Sequence, residues 1–386
     1  MAALTGTTVL DLSRVLAGPW CCMMLADLGA DVIKLESFDG DDTRGLGPPF
    51  LDGMSAYFAC CNRNKRSLAI DLRAPAARPL LEALVRKADV VVENFRTGAA
   101  DALGVGYDAL AAINPRLVYC SISGYGRDGP DATRPGYDFV IQAEAGLMAI
   151  TGPADGEPTK VGVAVADLAT GQNAATAVLA ALLQRERTGV GQRIDVSLFD
   201  TQLAWLANVG SSALFTGAPT LRRGNAHASI VPYEAFRASD EAFVLAVASE
   251  KLWALACDAM GRADLAADPR YASNAARVQN REALCAELAA QFATRTAAHW
   301  LALFDAAGVP AGPINSVGQA LAHPVAQARG MRIEIDGIPM VGSPLNLSAS
   351  PPRLDRAPPR LGQHSDEIAG ECGLDAAALR AAGAMR

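Results

Sequence analysis

The sequence predicts an α/β protein, with a doubly wound parallel sheet in a large domain and a smaller α+β domain beside it. Three observations carry this prediction. The first 125 residues repeat an order of short apolar strand, loop, helix and strand, which is the βαβ unit and implies parallel pairing. The texture changes from Pro232, where two strand-like runs surround the turn signal Ser239-Asp240 and helical patterns follow. The length of 386 residues exceeds what one ordinary core fills.

Taken in order, Thr8-Val9-Leu10-Asp11-Leu12 reads as a strand and residues 13–19 as a loop. Residues 20–28 then read as a helix closed by Gly29. Residues 31–36 and 67–71 are strand-like, 75–87 helical, and 89–93 a strand ending in Asn94-Phe95. Residues 117–122 form an apolar β run that ends in Ser123-Gly124-Tyr125-Gly126. Such sheets bind ligands at the carboxyl ends of their strands, so loops 13–19, 37–47, 94–98 and 123–138 are the informative ones. Gly18-Pro19 follows the first strand where a GxGxxG turn would hold a dinucleotide, which argues against that ligand.

Further along, the apolar run 161–166 leads to Asp167, and an apolar helix is expected over 168–183. Helices are expected over 251–260, 281–294 and 297–307, with the breaker-rich stretch 308–313 as the exit from the small domain. The Pro pairs in 350–360 predict extended chain. The expected organisation is 1–200 for the first part of the large domain and 201–225 for a linker. The small domain then spans 226–313, and 314–386 is a linker and a return to the large domain.

Composition limits the function. A hydrophobic fraction of 51% with 19% charged residues is that of a globular protein. The net charge of −7 and the lack of a basic stripe argue against nucleic acid. No uncharged apolar run reaches the roughly 18 residues of a membrane span, and residues 1–8 do not have the pattern of a secretory leader. The eight cysteines include the vicinal pairs Cys21-Cys22 and Cys60-Cys61 but no CxxC. Reduced thiols in a cytoplasmic protein are therefore expected, and no metal site.

Asp167 admits two compatible readings. An aspartate before a helix satisfies an orphan N–H as an N-cap. A carboxylate at a strand-to-helix junction also faces the crevice, where it can attack an activated carbonyl such as a thioester. GxSxG and HExxH are absent, so hydrolase templates fail. Cys120 has no base visible in the sequence and reads as a core thiol.

Read together, several stretches resemble the class III CoA-transferase family, which includes formyl-CoA transferase, carnitine CoA-transferase and the 2-methylacyl-CoA racemases. They are Val15-Leu16-Ala17-Gly18-Pro19, Leu28-Gly29-Ala30-Asp31-Val32-Ile33-Lys34-Leu35-Glu36, Gly40-Asp41-Asp42-Thr43-Arg44, Asn62-Arg63-Asn64-Lys65-Arg66-Ser67, Val92-Glu93-Asn94-Phe95, Ser123-Gly124-Tyr125-Gly126, Gly136-Tyr137-Asp138, Asp167 and Thr188-Gly189-Val190-Gly191-Gln192.

The resemblance implies an interlocked homodimer with no tightly bound cofactor and with CoA as substrate. It implies that Asp167 is acylated, first as a mixed anhydride and then as an aspartyl-CoA thioester. It places CoA against Val15, Leu16, Ala17, Ile70, Asp71, Leu72, Arg73, Asn94, Phe95, Arg96 and Tyr137, with Asn94 as an amide partner and Arg73 as a phosphate partner.

Departures narrow the choice. Racemases of this family carry His where Tyr137 stands, and a phenol is a poor base at neutral pH. Formyl-CoA transferases carry Gln where Leu16 stands and a glycine run where this chain has Gly224-Asn225-Ala226-His227-Ala228-Ser229, which disfavours formyl-CoA and oxalate. Within the family the chain is most similar to the succinyl-CoA:dicarboxylate transferases, glutarate enzymes among them, notably over residues 226–233. Arg222, His227, Ser229 and Tyr137 are then the groups expected to hold the acid substrate. The rival readings are a 2-methylacyl-CoA racemase and an inactive acyl-CoA-binding protein.

Overall fold

The computed structural model describes residues 1–386. The chain forms two compact units. The first comprises residues 1–147, 161–217 and 324–386, and the second 148–160 and 218–323. Six strands build the sheet of the first unit: β1 (Thr8–Asp11), β2 (Asp31–Glu36), β3 (Lys65–Ala69), β4 (Val90–Glu93), β5 (Val118–Ser123) and β6 (Arg193–Ser197). They lie in the order 3-2-1-4-5-6, and every neighbouring pair is parallel. The order reverses between β1 and β4, so the crevice of a doubly wound sheet opens beyond Asp11 and Glu93.

Alternation along these strands explains both faces of the sheet. Val9, Val32, Val90, Val92, Cys120 and Ile122 pack against helices α1 (Ala17–Asp27) and Val165–Thr188. Leu10, Ile33, Leu68, Val91 and Tyr119 face the other way, toward α2 (Arg78–Lys87) and the C-terminal Ile368 and Leu379. A parallel sheet covered on both faces needs such nearly continuous apolar strands. The helix after β1 begins at Ala17, three residues before the expected start. Pro19 does not prevent this, because a helix's first turn has no internal use for that N–H.

Polar groups fill the place where β1 and β2 end. Asp11 and Lys34 are register partners on neighbouring strands. Lys65 Nζ donates to Asp11 Oδ2 at 2.8 Å, to Asn62 Oδ1 at 2.8 Å and to the Pro19 carbonyl at 2.9 Å. Lys34 Nζ donates to the Ser13 carbonyl at 2.8 Å and lies 2.9 Å from Asp41 Oδ2. All four charged side chains are fully buried. The chain from Ser13 into the first turn of α1 is thus held at both ends by lysines, and Val15 within it takes φ 68°, a left-handed conformation that β-branched residues rarely adopt.

The second unit has a three-stranded antiparallel sheet of Tyr233–Arg237, Ala242–Ala246 and Ala311–Pro313. Its core is aromatic, with the Phe292 ring 5.2 Å from those of Phe243 and Trp300. The expected breaker stretch 308–313 includes the third strand, which pairs along only one side, as a proline-bearing strand can.

The stretch expected as a linker takes in the end of helix Leu198–Ala204 and the whole of helix Ala207–Thr216, which belong to the first unit. Ser197 Oγ caps the earlier helix and Gly217, with φ 63°, ends the later one. No helix is long and apolar enough to cross a membrane. All eight cysteines are unpaired, and Cys120 is buried in the core.

Replacing Lys65 by Met should lower unfolding stability at pH 7 by about 3–5 kcal/mol, the usual cost of leaving a buried charge without its partner. The deficit should shrink in acid. Burial alone would raise the Asp11 pKa, but Lys65 and Lys34 overcome that and hold it at about 2; without Lys65 the carboxyl protonates earlier. Urea titrations at pH 7 and pH 4 measure both effects, and a loss below 1 kcal/mol at pH 7 would contradict them.

Candidate active site

The crevice holds two clefts. Asn94, just past β4, accepts from Arg14 N–H and donates to the Arg14 carbonyl, both at 2.8 Å. This double bond-pair ties the loop after β1 to the loop after β4. A cleft of about 230 Å³ is lined by Val15, Leu16, Ala17, Asn94, Phe95, Arg96, Tyr137 and Asp167. A second cleft of about 380 Å³ is lined by Ile70, Asp71, Leu72 and Arg73. Arg14 and Phe95 line both.

Asp167 stands differently from expectation. Residues 161–164 form no strand, and helix α4, which is Val165–Thr188, starts two residues before it. Asp167 is therefore the third helical residue and does not serve as the N-cap. The capping role falls to Asp138, first residue of α3 (Asp138–Glu144), whose Oδ1 accepts from Ala166 N–H at 2.8 Å. Asp167 itself is partly buried and accepts no hydrogen bond. Burial, with the Asp138 charge adding to it, pushes its pKa up to about 7.

Two close approaches fix that position. Residues four apart share a helix face, so Asp167 lies one turn above Gly171. A Cβ at Gly171 would stand 2.6 Å from the Ala17 carbonyl. Glycine there lets α4 rest on the start of α1 and brings Asp167 to Val15–Ala17. On the other side, Gly124 and Gly136 meet backbone to backbone, a Cβ on Gly124 falling 2.5 Å from the Gly136 Cα. This contact anchors the chain that presents Tyr137 and Asp138 to the end of β5.

Tyr57 and Arg127 escaped the sequence reading. Tyr57 lies in the one-turn helix Ala56–Ala59. Burial, with the charge of Asp167 next, pushes its phenol up to about 12. A Tyr in the mostly apolar run 54–61 gives no local signal of this. Arg127 lines the first cleft, with its guanidinium bonded to both Glu93 oxygens at 2.9 and 3.1 Å and to the Phe95 carbonyl at 2.6 Å.

The residues expected to hold the acid substrate divide between the units. Tyr137 is two-thirds exposed at the first cleft. Arg222, His227 and Ser229 belong to the second unit. There the Arg222 guanidinium donates to the carbonyls of Pro153 at 2.9 Å, Ala149 at 3.2 Å and Gly156. His227 Nδ1 accepts from Ser229 N–H at 3.1 Å, and its ring lies 5.2 Å from that of Tyr233.

The stability of Asp167→Asn gives a first test of this electrostatic setting. A pKa raised on folding means that wild-type stability falls as pH rises from about 4 to about 7. Asparagine escapes that loss. The variant should melt above wild type at pH 8, with the difference closing toward pH 4; equal melting curves at pH 8 would contradict the raised pKa.

The sequence model for CoA-transferase family III matches residues 4–365. A succinate–glutarate CoA-transferase of Agrobacterium fabrum is 42% identical, covering 95% of each chain. An acetyl-CoA:oxalate CoA-transferase of Acetobacter aceti is 43% identical over 89% of this chain and 88% of its own. The crystal structure of a CAIB/BAIF family protein from Brucella suis superposes with a TM-score of 0.87 at 45% identity, covering 96% of this chain and 99% of that one.

Proposed function

The chain belongs to CoA-transferase family III, and from that premise we propose that it moves CoA from succinyl-CoA to a dicarboxylic acid such as glutarate. The observation that carries this reading is Asp167, an unbonded carboxylate on the wall of a cleft at the switch point of the sheet. The glutarate preference draws support from the Agrobacterium relative. The Acetobacter relative's name includes oxalate, so oxalate belongs beside glutarate in any acceptor screen despite the substitution at Leu16.

In the proposed reaction an Asp167 oxygen attacks the succinyl carbonyl. The C–S bond breaks, CoA leaves as its thiolate, and a mixed anhydride remains. The thiolate attacks the Asp167 carbonyl and expels succinate, leaving an aspartyl-CoA thioester. The acceptor carboxylate then takes the same steps in reverse. Covalent passage keeps the thioester energy within the enzyme, so ATP is not consumed.

The two clefts suit a long substrate whose nucleotide end lies by Ile70–Arg73 and whose thioester end lies at Asp167. Arg73 is exposed and available to a phosphate. Asn94 acts here as a clasp, since both ends of its amide are engaged by Arg14. A homodimer is part of the proposal. It is supported by helix Ala207–Thr216, which leaves Leu214 86% and Phe215 90% exposed.

Two experiments test the reading. Succinyl-CoA with glutarate should yield glutaryl-CoA by mass spectrometry, and Asp167→Ala should reduce that turnover by about 10³-fold or more. Full turnover in the variant would remove Asp167 from the chemistry. Gly171→Ala should cost about 10²-fold in kcat, because a displacement near 1 Å has that effect on a positioned group. Unchanged kcat would mean that α4 does not place the nucleophile.

A further inference from the structure

Asp138 is bound on the side away from solvent. Its Oδ1 accepts from Ala166 N–H, next to Asp167 in sequence, and its Oδ2 accepts from Gln142 Nε2 at 2.8 Å. Gln142 is fully buried, and its Oε1 accepts from Val161 N–H at 2.9 Å. One carboxylate and one amide therefore grip the chain on both sides of the bend that leads into α4. Nothing comparable neutralises Asp167. The walls of its cleft carry Arg14, Asp42, Arg96, Arg127 and Arg134, yet Asp138 is the charged group that acts on it. Tyr57, the other titratable neighbour, is a phenol.

A negative group held beside an attacking carboxylate looks unhelpful until the product state is considered. When Asp167 becomes a thioester or anhydride it loses its charge. Both the burial and the repulsion then vanish.

We propose that Asp138, braced by Ala166 N–H and Gln142, is a positioning residue that disfavours the free Asp167 anion and so favours its covalent thioester with CoA. This rests on the transfer reading given above. The bond made is Asp167 Cγ to sulfur, succinate takes the electron pair of the broken anhydride bond, and no oxidant or other reactant enters.

The two effects share one cause and must scale together. Above the Asp167 pKa, each unit by which Asp138 raises it also multiplies the ratio of thioester to free enzyme about tenfold. The test compares wild type, Asp138→Asn and Asp138→Ser, both replacements retaining an oxygen that can accept from Ala166 N–H. Two readouts are taken. One is the acid limb of kcat/KM for succinyl-CoA. The other is the fraction of chain carrying CoA at a fixed succinyl-CoA to succinate ratio at pH 8, from intact mass after acid quench.

The wild-type limb is expected near pH 7, and both variants should move it to lower pH. The CoA-loaded ratio should fall about tenfold for each unit moved. An adduct equally abundant in all three proteins overturns the role of Asp138 alone, leaving the transferase in place. A limb that moves with no change in the ratio also overturns it. Should the variants not fold, a wild-type limb in the ordinary carboxylate range overturns it without them. Absence of any CoA adduct in wild type overturns the covalent reading beneath it, and this proposal with it.

Discussion

The Lys65–Asp11–Lys34 cluster is the constraint on which the site depends. Three fully buried charges are an expensive way to stabilise a core, and well-packed apolar side chains of similar size often do as well or better. What apolar residues cannot do is hold carbonyl groups. Lys34 holds that of Ser13 and Lys65 that of Pro19. Between those anchors the chain adopts the left-handed Val15 conformation, and Asp41 Oδ1 meets Val15 N–H at 3.3 Å. Strain of this kind persists where surrounding contacts over-determine the backbone. The wall of the Asp167 cleft is thus set by ion pairs inside the sheet.

Much of the first unit was legible because parallel strands are short, apolar and repeated. Thr8–Asp11 and Asp31–Glu36 fall almost where alternation and the Gly29 stop signal put them. The start of α4 at Val165 differs from the sequence expectation for a definite reason. Val161 to Ala166 is apolar and partly β-branched, which locally resembles a strand. The cap for this helix start is Asp138, 28 residues before the Ala166 whose N–H it binds. A cap supplied by tertiary contact has no local signature.

The same limit applies to the charges. Nothing local in Asp31-Val32-Ile33-Lys34-Leu35-Glu36 marks Lys34 as buried, and the register with Asp11 is what shows it. Arg222 is subject to the same limit. Near a suspected acid site a guanidinium suggests a carboxylate partner, yet backbone carbonyls surround it here. Residue type indicates which partners are possible, and geometry decides which are used.

Asp11 and Asp167 make the point sharply, since both are withdrawn from water at the same edge of one sheet. Burial raises the pKa of each. Two lysines reverse the effect at Asp11, which ends at about 2. At Asp167 no cation intervenes, a second carboxylate adds to the effect, and the group ends at about 7. Asp11 is consequently a settled structural anion with no tendency to react. Asp167 is an anion that the fold tolerates poorly, and it can be relieved by a proton or by an acyl group. In the proposed reaction a thioester substrate supplies that acyl group, the remaining route at a pH where the proton is scarce.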